Sequence, residues 1–165
     1  MKSVICLLAA LLLSVPAFAK DACYSPEHMR AEQLLRLHSE LMVITITCRQ
    51  GSEGQDLPAA YGQFTQSNLH TLRNAEQTLI AFYKKSGSGN GVSRLDKLRT
   101  LLGNEFAQKV ADMSAPEYCS IYRDKVWKMA TAQPTDLDNQ VKIFEAVGKS
   151  YGTPCGAIKK AVAKK

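Results

Sequence analysis

The sequence predicts an all-α protein, a bundle of four to five helices that is stapled by disulfide bonds and preceded by a cleaved signal peptide. Three observations predict this class. Apolar residues recur at helical spacings of three and four through most of the chain, β-hairpin signals are missing, and an even number of cysteines follows an export signal. We therefore expect one helical core with disulfide cross-links.

The first nineteen residues have the three parts of a signal peptide. Met1 and Lys2 give a positive start, positions 4–15 are almost wholly apolar, and the small-x-small pattern at 17–19 is a cleavage site. The apolar run is shorter than the ~20 residues of a membrane-spanning helix. We therefore expect a signal peptide at 1–19, a helical bundle domain at 20–156 and a lysine-rich C-terminal tail at 157–165.

The flanking sequence favours a periplasmic location, with an extracellular one as the alternative. Lys20 and Asp21 precede Cys23, so charges stand where a lipoprotein signal needs small or aliphatic residues. No Asn-x-Ser/Thr glycosylation sequon occurs. We expect a soluble, exported protein that does not span the membrane.

The first helix is predicted to start at Pro26, with Ser25 as its N-cap. The β-branched stretch 43–47 is kept helical because the apolar seam passes through it unbroken. That seam consists of Leu34, Leu37, Leu41, Ile44 and Cys48. On the same helix, His28 and Glu32 are predicted to form an exposed pair.

The later helices are predicted from stop and start signals. One helix should run from about Pro58 to Lys85 and end at the Ser/Gly-rich stretch 86–91. Three capping boxes then predict three further helix starts. They are Ser93 with Asp96, Ser114 with Glu117, and Thr135 with Asp138.

Of five cysteines, four remain after the signal peptide. A helix of about 22 residues would hold Cys23 and Cys48 some 35 Å apart, whereas a disulfide tolerates roughly 4.4–6.8 Å between Cα atoms. That excludes a Cys23–Cys48 bond. With alternating helices, Cys48 and Cys119 share one end of the bundle, so we expect Cys48–Cys119 and Cys23–Cys155. No C-x-x-C spacing occurs, which favours structural over redox-active bridges.

Motifs for cofactors and catalysis are missing. The chain has no C-x-x-C-H haem motif, no Glu-x-x-His di-iron motif and no G-x-S-x-G nucleophile turn, so we predict no cofactor and no catalytic residue. Weak metal candidates are His38 and Met42, four residues apart on one helix, which are possible copper ligands in a periplasm. The alternative is a boundary histidine packed beside a core methionine.

Glu40 and Glu76 lie at the margins of their apolar stripes. Together they are a possible carboxylate pair for wall-glycan cleavage. The alternative is two solvated glutamates.

The positive charge is concentrated at the C-terminus. The formal net charge is +6, and from position 142 onward six lysines face a single acid, Glu145. The candidate surface-binding residues are Lys159, Lys160, Lys164 and Lys165. Beside apolar neighbours they suit an anionic surface, and a solvated tail is the alternative.

These observations predict a non-catalytic, secreted or periplasmic protein that binds an envelope partner, either a protein or an anionic surface. Nucleic acid is not expected as a partner, and the sequence leaves the oligomeric state open. The alternatives are a periplasmic carrier of a small ligand or metal, and a cell-wall hydrolase.

Overall fold

The computed structural model describes residues 23–49, 56–87, 89–147 and 149–155. Within these ranges the chain forms six α-helices and no strand, which confirms the all-α prediction. The helices are α1 (Pro26–Thr47), α2 (Leu57–Ser67), α3 (Leu69–Lys85), α4 (Gly91–Met113), α5 (Ala115–Ala130) and α6 (Pro134–Val147). None of them combines the length and hydrophobicity that crossing a bilayer requires. The predicted signal peptide and the lysine-rich tail lie outside the described residues.

The helix count differs from the prediction because the second predicted helix is divided at Asn68. The Asn68 side chain is nearly buried, and its amide donates to the Phe64 carbonyl oxygen at 2.9 Å. An asparagine that binds the backbone of the preceding turn competes with helix continuation. As a result α2 ends at Ser67, and α3 begins at Leu69.

Helix α1 is the centre of the molecule and packs against each of the other five helices. One apolar cluster surrounds its C-terminal half with residues of α2 and α5, and a second surrounds its N-terminal half with residues of α3 and α4. Twelve of its 22 residues are buried, including several polar ones. These polar residues are Glu32, Gln33, Arg36, Ser39, Glu40 and Thr45.

The start of α1 agrees with the prediction, but the side-chain pair predicted between His28 and Glu32 on this helix is wrong. Ser25 is the N-cap, and it forms a reciprocal capping box with His28. His28 therefore bonds backward to Ser25. Glu32 is fully buried and has other partners, so the predicted exposed pair of His28 and Glu32 does not form.

The start of α4 lies earlier than predicted. The helix begins at Gly91, where the side chain of Asn90 accepts a hydrogen bond from the backbone N–H of Val92 at 2.9 Å. Ser93 and Asp96 therefore lie inside the helix and do not cap it. Asparagine is as good an N-cap as serine, and here it occupies the earlier position.

The other two predicted capping boxes are also absent. Ser114 stands at the N-cap of α5 with a φ of 77°, and its side chain makes no capping hydrogen bond. At the start of α6, the backbone N–H of Gln133 donates a hydrogen bond to the Asp136 side chain at 2.8 Å. Asp136 therefore accepts the backbone hydrogen bond that was predicted for Asp138. The last three helices begin close to the predicted positions, but none of the three predicted capping boxes forms.

Two disulfide bonds connect distant parts of the chain. Cys23 and Cys155 are joined with their Cα atoms 4.8 Å apart, and Cys48 and Cys119 with theirs 5.4 Å apart. The length of the first helix excluded a Cys23–Cys48 bond, and the observed pairings are those expected when the helices alternate in direction. The first bond ties the start of α1 to the segment after α6, and the second lies in the core cluster around the end of α1.

Candidate binding cleft

Residues 149–155, here called the C-terminal strap, run alongside the start of α1. The backbone N–H of Tyr24 donates to the Thr153 carbonyl oxygen at 2.8 Å, and the Cys155 N–H donates to the Tyr24 carbonyl oxygen at 3.0 Å. This short parallel bridge adjoins the Cys23–Cys155 bond. Backbone pairing and a covalent link therefore fix the end of the strap.

The other end of the strap is held by buried charges. Glu32 of α1 accepts hydrogen bonds from the Tyr151 backbone N–H at 2.9 Å and from the Ser150 hydroxyl at 3.1 Å. Arg36, one turn later, donates to Glu32 at 3.2 Å and forms a second ion pair with Glu105 of α4. Lys149 of the strap completes this group at 2.8 Å from Glu105. We call Glu32, Arg36, Glu105 and Lys149 the ionic cluster.

The ionic cluster balances two carboxylates with two cations. Glu32 and Arg36 are almost completely buried, and a buried charge is tolerated only when it is paired and hydrogen-bonded. Burial raises the pKa of Glu105, but hydrogen bonds and charge interactions with Lys149 and Arg36 outweigh that effect, so its pKa is lowered. The cluster thus joins α1, α4 and the strap through mutually dependent charges.

An open cleft of about 400 Å³ lies between the strap, the end of α3 and the first half of α4. Its lining residues are Tyr24, Phe82, Tyr83, Ser86, Arg94, Lys97, Leu98, Leu101, Tyr151, Gly152 and Thr153. The buried Tyr24 and Tyr83 join their hydroxyl groups at 2.7 Å. Burial raises the pKa of both phenols, so both remain neutral hydrogen-bonding groups.

Positive charge marks one side of the cleft. Arg94 and Lys97 are both exposed and lie three residues apart on α4, which places them on one helix face. The Arg94 guanidinium lies 5.7 Å from the centre of the Tyr83 ring. Neither cation forms an ion pair within the described ranges, and no Asp or Glu is among the lining residues. Their charge is therefore available to an anion.

A second cavity, of about 500 Å³, is larger but differs in chemistry. It lies beside the junction of α2 and α3, and its one charged lining residue is Arg30. Arg30 is already paired with Asp138 at 2.6 Å. The remaining lining is mainly amides, hydroxyls and small side chains, so the positive cleft is the better candidate for a charged ligand.

His38, one of the two candidate metal ligands, has a tyrosine hydroxyl as its hydrogen-bond partner. The His38 Nε2 atom lies 2.7 Å from the Tyr61 hydroxyl, and the two rings stack with centroids 5.6 Å apart. Burial, together with Arg99, lowers the pKa of His38. Met42 is half-buried one turn further along α1. In the part of the chain that the structure describes, no group of three or more His, Cys, Asp or Glu side chains is arranged to hold a metal.

The two candidate hydrolase carboxylates each have a cation as partner. Glu40 is buried on α1 and pairs with Lys125 of α5 at 2.5 Å. Glu76 of α3 pairs with Arg99 of α4. No contact among the described residues joins the two carboxylates, so the structure provides two separate ion pairs between helices.

Arg94 and Lys97 were not among the binding residues predicted from the sequence. A usable signal was present, since neither residue has an acid three or four positions away that would pair with it on the helix. The ionic cluster had such a signal only within α1, where Glu32 and Arg36 are four residues apart, and its contacts with α4 and the strap had none. The tail residues Lys159, Lys160, Lys164 and Lys165 lie outside the described residues.

Comparison of the chain with protein-family models, curated proteins and solved structures gave no match. The class of protein is therefore defined by its own geometry. It is a disulfide-bonded helical protein with an open cleft that carries aromatic walls and unpaired positive charge.

Proposed function

We propose that this chain is a non-catalytic, exported binding protein whose partner is an anionic component of the cell envelope, either a protein or an anionic surface. The observation that carries the proposal is the positive side of the cleft, where Arg94 and Lys97 have no acidic neighbour in the lining. Positive charge that is not offset attracts anions over a Debye length of about 8 Å at physiological ionic strength. The tail lysines of the sequence add charge of the same sign.

The side chains of the cleft support binding rather than catalysis. Its described lining has phenols, a guanidinium and an ammonium as titratable groups, and no carboxylate, imidazole or thiol. Lysine, tyrosine and serine side chains can also act in catalysis, but histidine and the carboxylates are the commonest general acids and bases, and the described lining has neither. The lining therefore suits recognition of charge and shape.

Export is proposed from the N-terminal sequence and the cysteines together. Positions 1–19 have the pattern of a signal peptide. Disulfide bonds such as Cys23–Cys155 and Cys48–Cys119 persist in oxidising compartments. We propose the periplasm as the location, with the extracellular space as the alternative.

The test measures binding to envelope anions with charge-matched variants. The purified oxidised protein is sedimented with phosphatidylglycerol vesicles, with phosphatidylcholine vesicles and with immobilised envelope proteins. The cleft variant Arg94→Gln/Lys97→Gln is compared with the control Arg73→Gln/Lys128→Gln, which removes the same charge from exposed positions outside the cleft. A third protein lacks residues 157–165.

We expect the cleft variant to lose most of the binding to the anionic fraction and the control variant to retain it. Binding to vesicles identifies a surface as the partner, and binding to envelope proteins alone identifies a protein. Equal loss in the cleft and control variants would show that only net charge matters and would overturn the proposal. Unchanged binding by the protein that lacks residues 157–165 would show that the tail does not contribute to binding.

A small-ligand carrier is the second candidate function. It is favoured by the apolar walls of the cleft, where Leu101 and Tyr151 are 37% and 44% exposed. Exposed apolar side chains beside unpaired charge are suited to a compact ligand that covers them.

A further inference from the structure

We infer that the cleft binds one organic anion with an apolar body, whose acidic group is held by Arg94 and Lys97 and whose body lies against the aromatic and leucine side chains. This inference rests on the proposed binding function, in its small-ligand form, and names the chemical class of the ligand.

The acidic group is assigned from the two cations. Arg94 and Lys97 point from adjacent positions of one helix face and have no carboxylate within the described lining. A guanidinium presents a fork of N–H donors that matches carboxylate, sulfonate or phosphate oxygens. The lysine adds a second positive charge beside it.

The apolar body is assigned from the walls. Phe82 packs edge-on against Tyr24 with ring centroids 4.9 Å apart, and it also meets the edge of Tyr83. Leu98 and Leu101 of α4 line the same cleft as these rings. A volume of about 400 Å³ lies within the usual range of roughly 300–1,000 Å³ for small-molecule sites.

A polar group in the cleft adds a specific contact. The bond between the Tyr24 and Tyr83 hydroxyls uses one of their two hydrogens, and neither hydroxyl has another hydrogen-bond partner among the described residues. One phenolic hydrogen is therefore left for an acceptor on the ligand. Both side chains are buried, which fixes the positions of the two rings beside the cleft.

The experiment uses two probes with the same rings and different charge. 8-Anilinonaphthalene-1-sulfonate carries an anionic group, and N-phenyl-1-naphthylamine lacks it. Fluorescence titration and calorimetry of the full oxidised protein give the affinity and stoichiometry for each probe. Inorganic phosphate serves as an anion that has no apolar part.

We expect one sulfonate probe per chain, bound at least about tenfold more tightly than the neutral probe because a charge-assisted hydrogen bond is worth that much. Arg94→Gln/Lys97→Gln should remove that difference, and the control Arg73→Gln/Lys128→Gln should preserve it. Leu101→Asn, at a partly exposed position, should weaken both probes. Phosphate should compete only weakly, since it does not cover the walls.

Three results would overturn the inference. They are equal affinity for the two probes, sulfonate binding that survives Arg94→Gln/Lys97→Gln, and binding that does not saturate at one site. Circular dichroism of every variant shows whether the fold is intact. If neither probe binds while the cleft variant still loses envelope binding, the ligand class is wrong and the proposed function stands. If both assays fail, both proposals fail.

Discussion

Glu32 accepts a hydrogen bond from the backbone N–H of Tyr151 at 2.9 Å, across 119 positions of sequence. This contact joins the central helix to the strap that forms one wall of the cleft. Arg36, bound to the same carboxylate, lies under the Tyr151 ring at 5.6 Å from its centre. The stability of the fold and the shape of the cleft therefore depend on the same buried charges.

Replacing Arg36 with methionine should strongly destabilise the protein. Arg36→Met keeps most of the side-chain volume but leaves the Glu32 and Glu105 carboxylates without their shared cation. Breaking a buried ion pair from one side typically costs about 3–5 kcal/mol. Urea unfolding monitored by circular dichroism gives the free energy of unfolding.

The matched control for Arg36→Met is Arg99→Met. Arg99 is 42% exposed and pairs with Glu76 and Asp96 at the surface. Its loss should cost about 1 kcal/mol or less. Comparable losses in the two variants would contradict a dominant role for the ionic cluster.

Gly152 should not tolerate a methyl group. A Cβ atom at this position would lie 2.4 Å from ring carbons of Tyr24, and that ring is fixed by the bond of its hydroxyl to Tyr83. We expect Gly152→Ala to destabilise the protein by about 1–3 kcal/mol through overpacking and to weaken binding of the sulfonate probe. Thermal unfolding and probe titration measure the two effects.

Gly103 provides the opposite case for the same substitution. No atom lies within 4 Å of an added Cβ there, and the residue is inside α4. Gly103→Ala should stabilise the protein by about 0.5–1 kcal/mol, since glycine is a poor helix residue. A similar loss at both glycines would show that the contact with Tyr24 is not the cause.

The helical class could be predicted from the apolar periodicity, and the length of one helix excluded one of the three possible cysteine pairings. The choice between the other two rested on the assumption that the helices alternate in direction. An unbroken seam from Leu34 to Cys48 requires a long helix, and a long helix keeps Cys23 away from Cys48. The break between α2 and α3 at Asn68 was not predicted, because Asn68 stands at the spacing expected for an inward-facing residue of a continuous helix. Whether it interrupts the helix depends on the direction of its buried amide group.

The ionic cluster could not be predicted as a whole, because apolar periodicity identifies one buried face of a helix and does not tell how many other helices surround it. Glu32 and Glu40 lie off the apolar seam of α1, yet both are buried since α1 has helices on all sides. Besides Arg36 on the same helix, the partners of Glu32 come from a strap more than a hundred residues away. Arg94 and Lys97 are recognised as candidate binding residues only because the strap and the end of α3 form a cleft beside them.

The Cys23–Cys155 bond should be reduced before Cys48–Cys119. The first pair is half-buried at the edge of the molecule, whereas Cys48 and Cys119 are 3% and 7% exposed within the core. Thiol attack requires access to a sulfur atom. Limited dithiothreitol treatment, alkylation and peptide mapping should label Cys23 and Cys155 first, while the helical circular dichroism signal remains.

Denaturant supplies the control for this order. In urea both bonds are exposed, so the difference in reduction rate should disappear. Preferential labelling of Cys48 and Cys119 under native conditions would contradict the burial argument. A linked peptide that contains Cys23 and Cys48 would contradict the pairing itself.

Protonation of His38 should destabilise the fold below about pH 6.5, the ordinary histidine pKa. Burial lowers the pKa of His38 in the folded protein, with Arg99 acting in the same direction and Glu76 opposing it. The unfolded chain therefore binds the proton first as the pH falls. The stabilising contribution is complete above about 6.5 and is lost as the pH falls through the lowered pKa of the folded state, with a slope of at most about 1.4 kcal/mol per pH unit.

Urea unfolding at a series of pH values between about 7.5 and 5 tests the role of His38. His38→Gln should flatten part of the decline in the free energy of unfolding, and His70→Gln, at an exposed position, should leave the decline unchanged. The ring signals of His38 in a proton NMR titration should move at a lower pH than those of an unfolded reference peptide, because burial, together with Arg99, lowers the pKa of His38. Identical pH profiles for His38→Gln and the unsubstituted protein would show that another group controls acid stability.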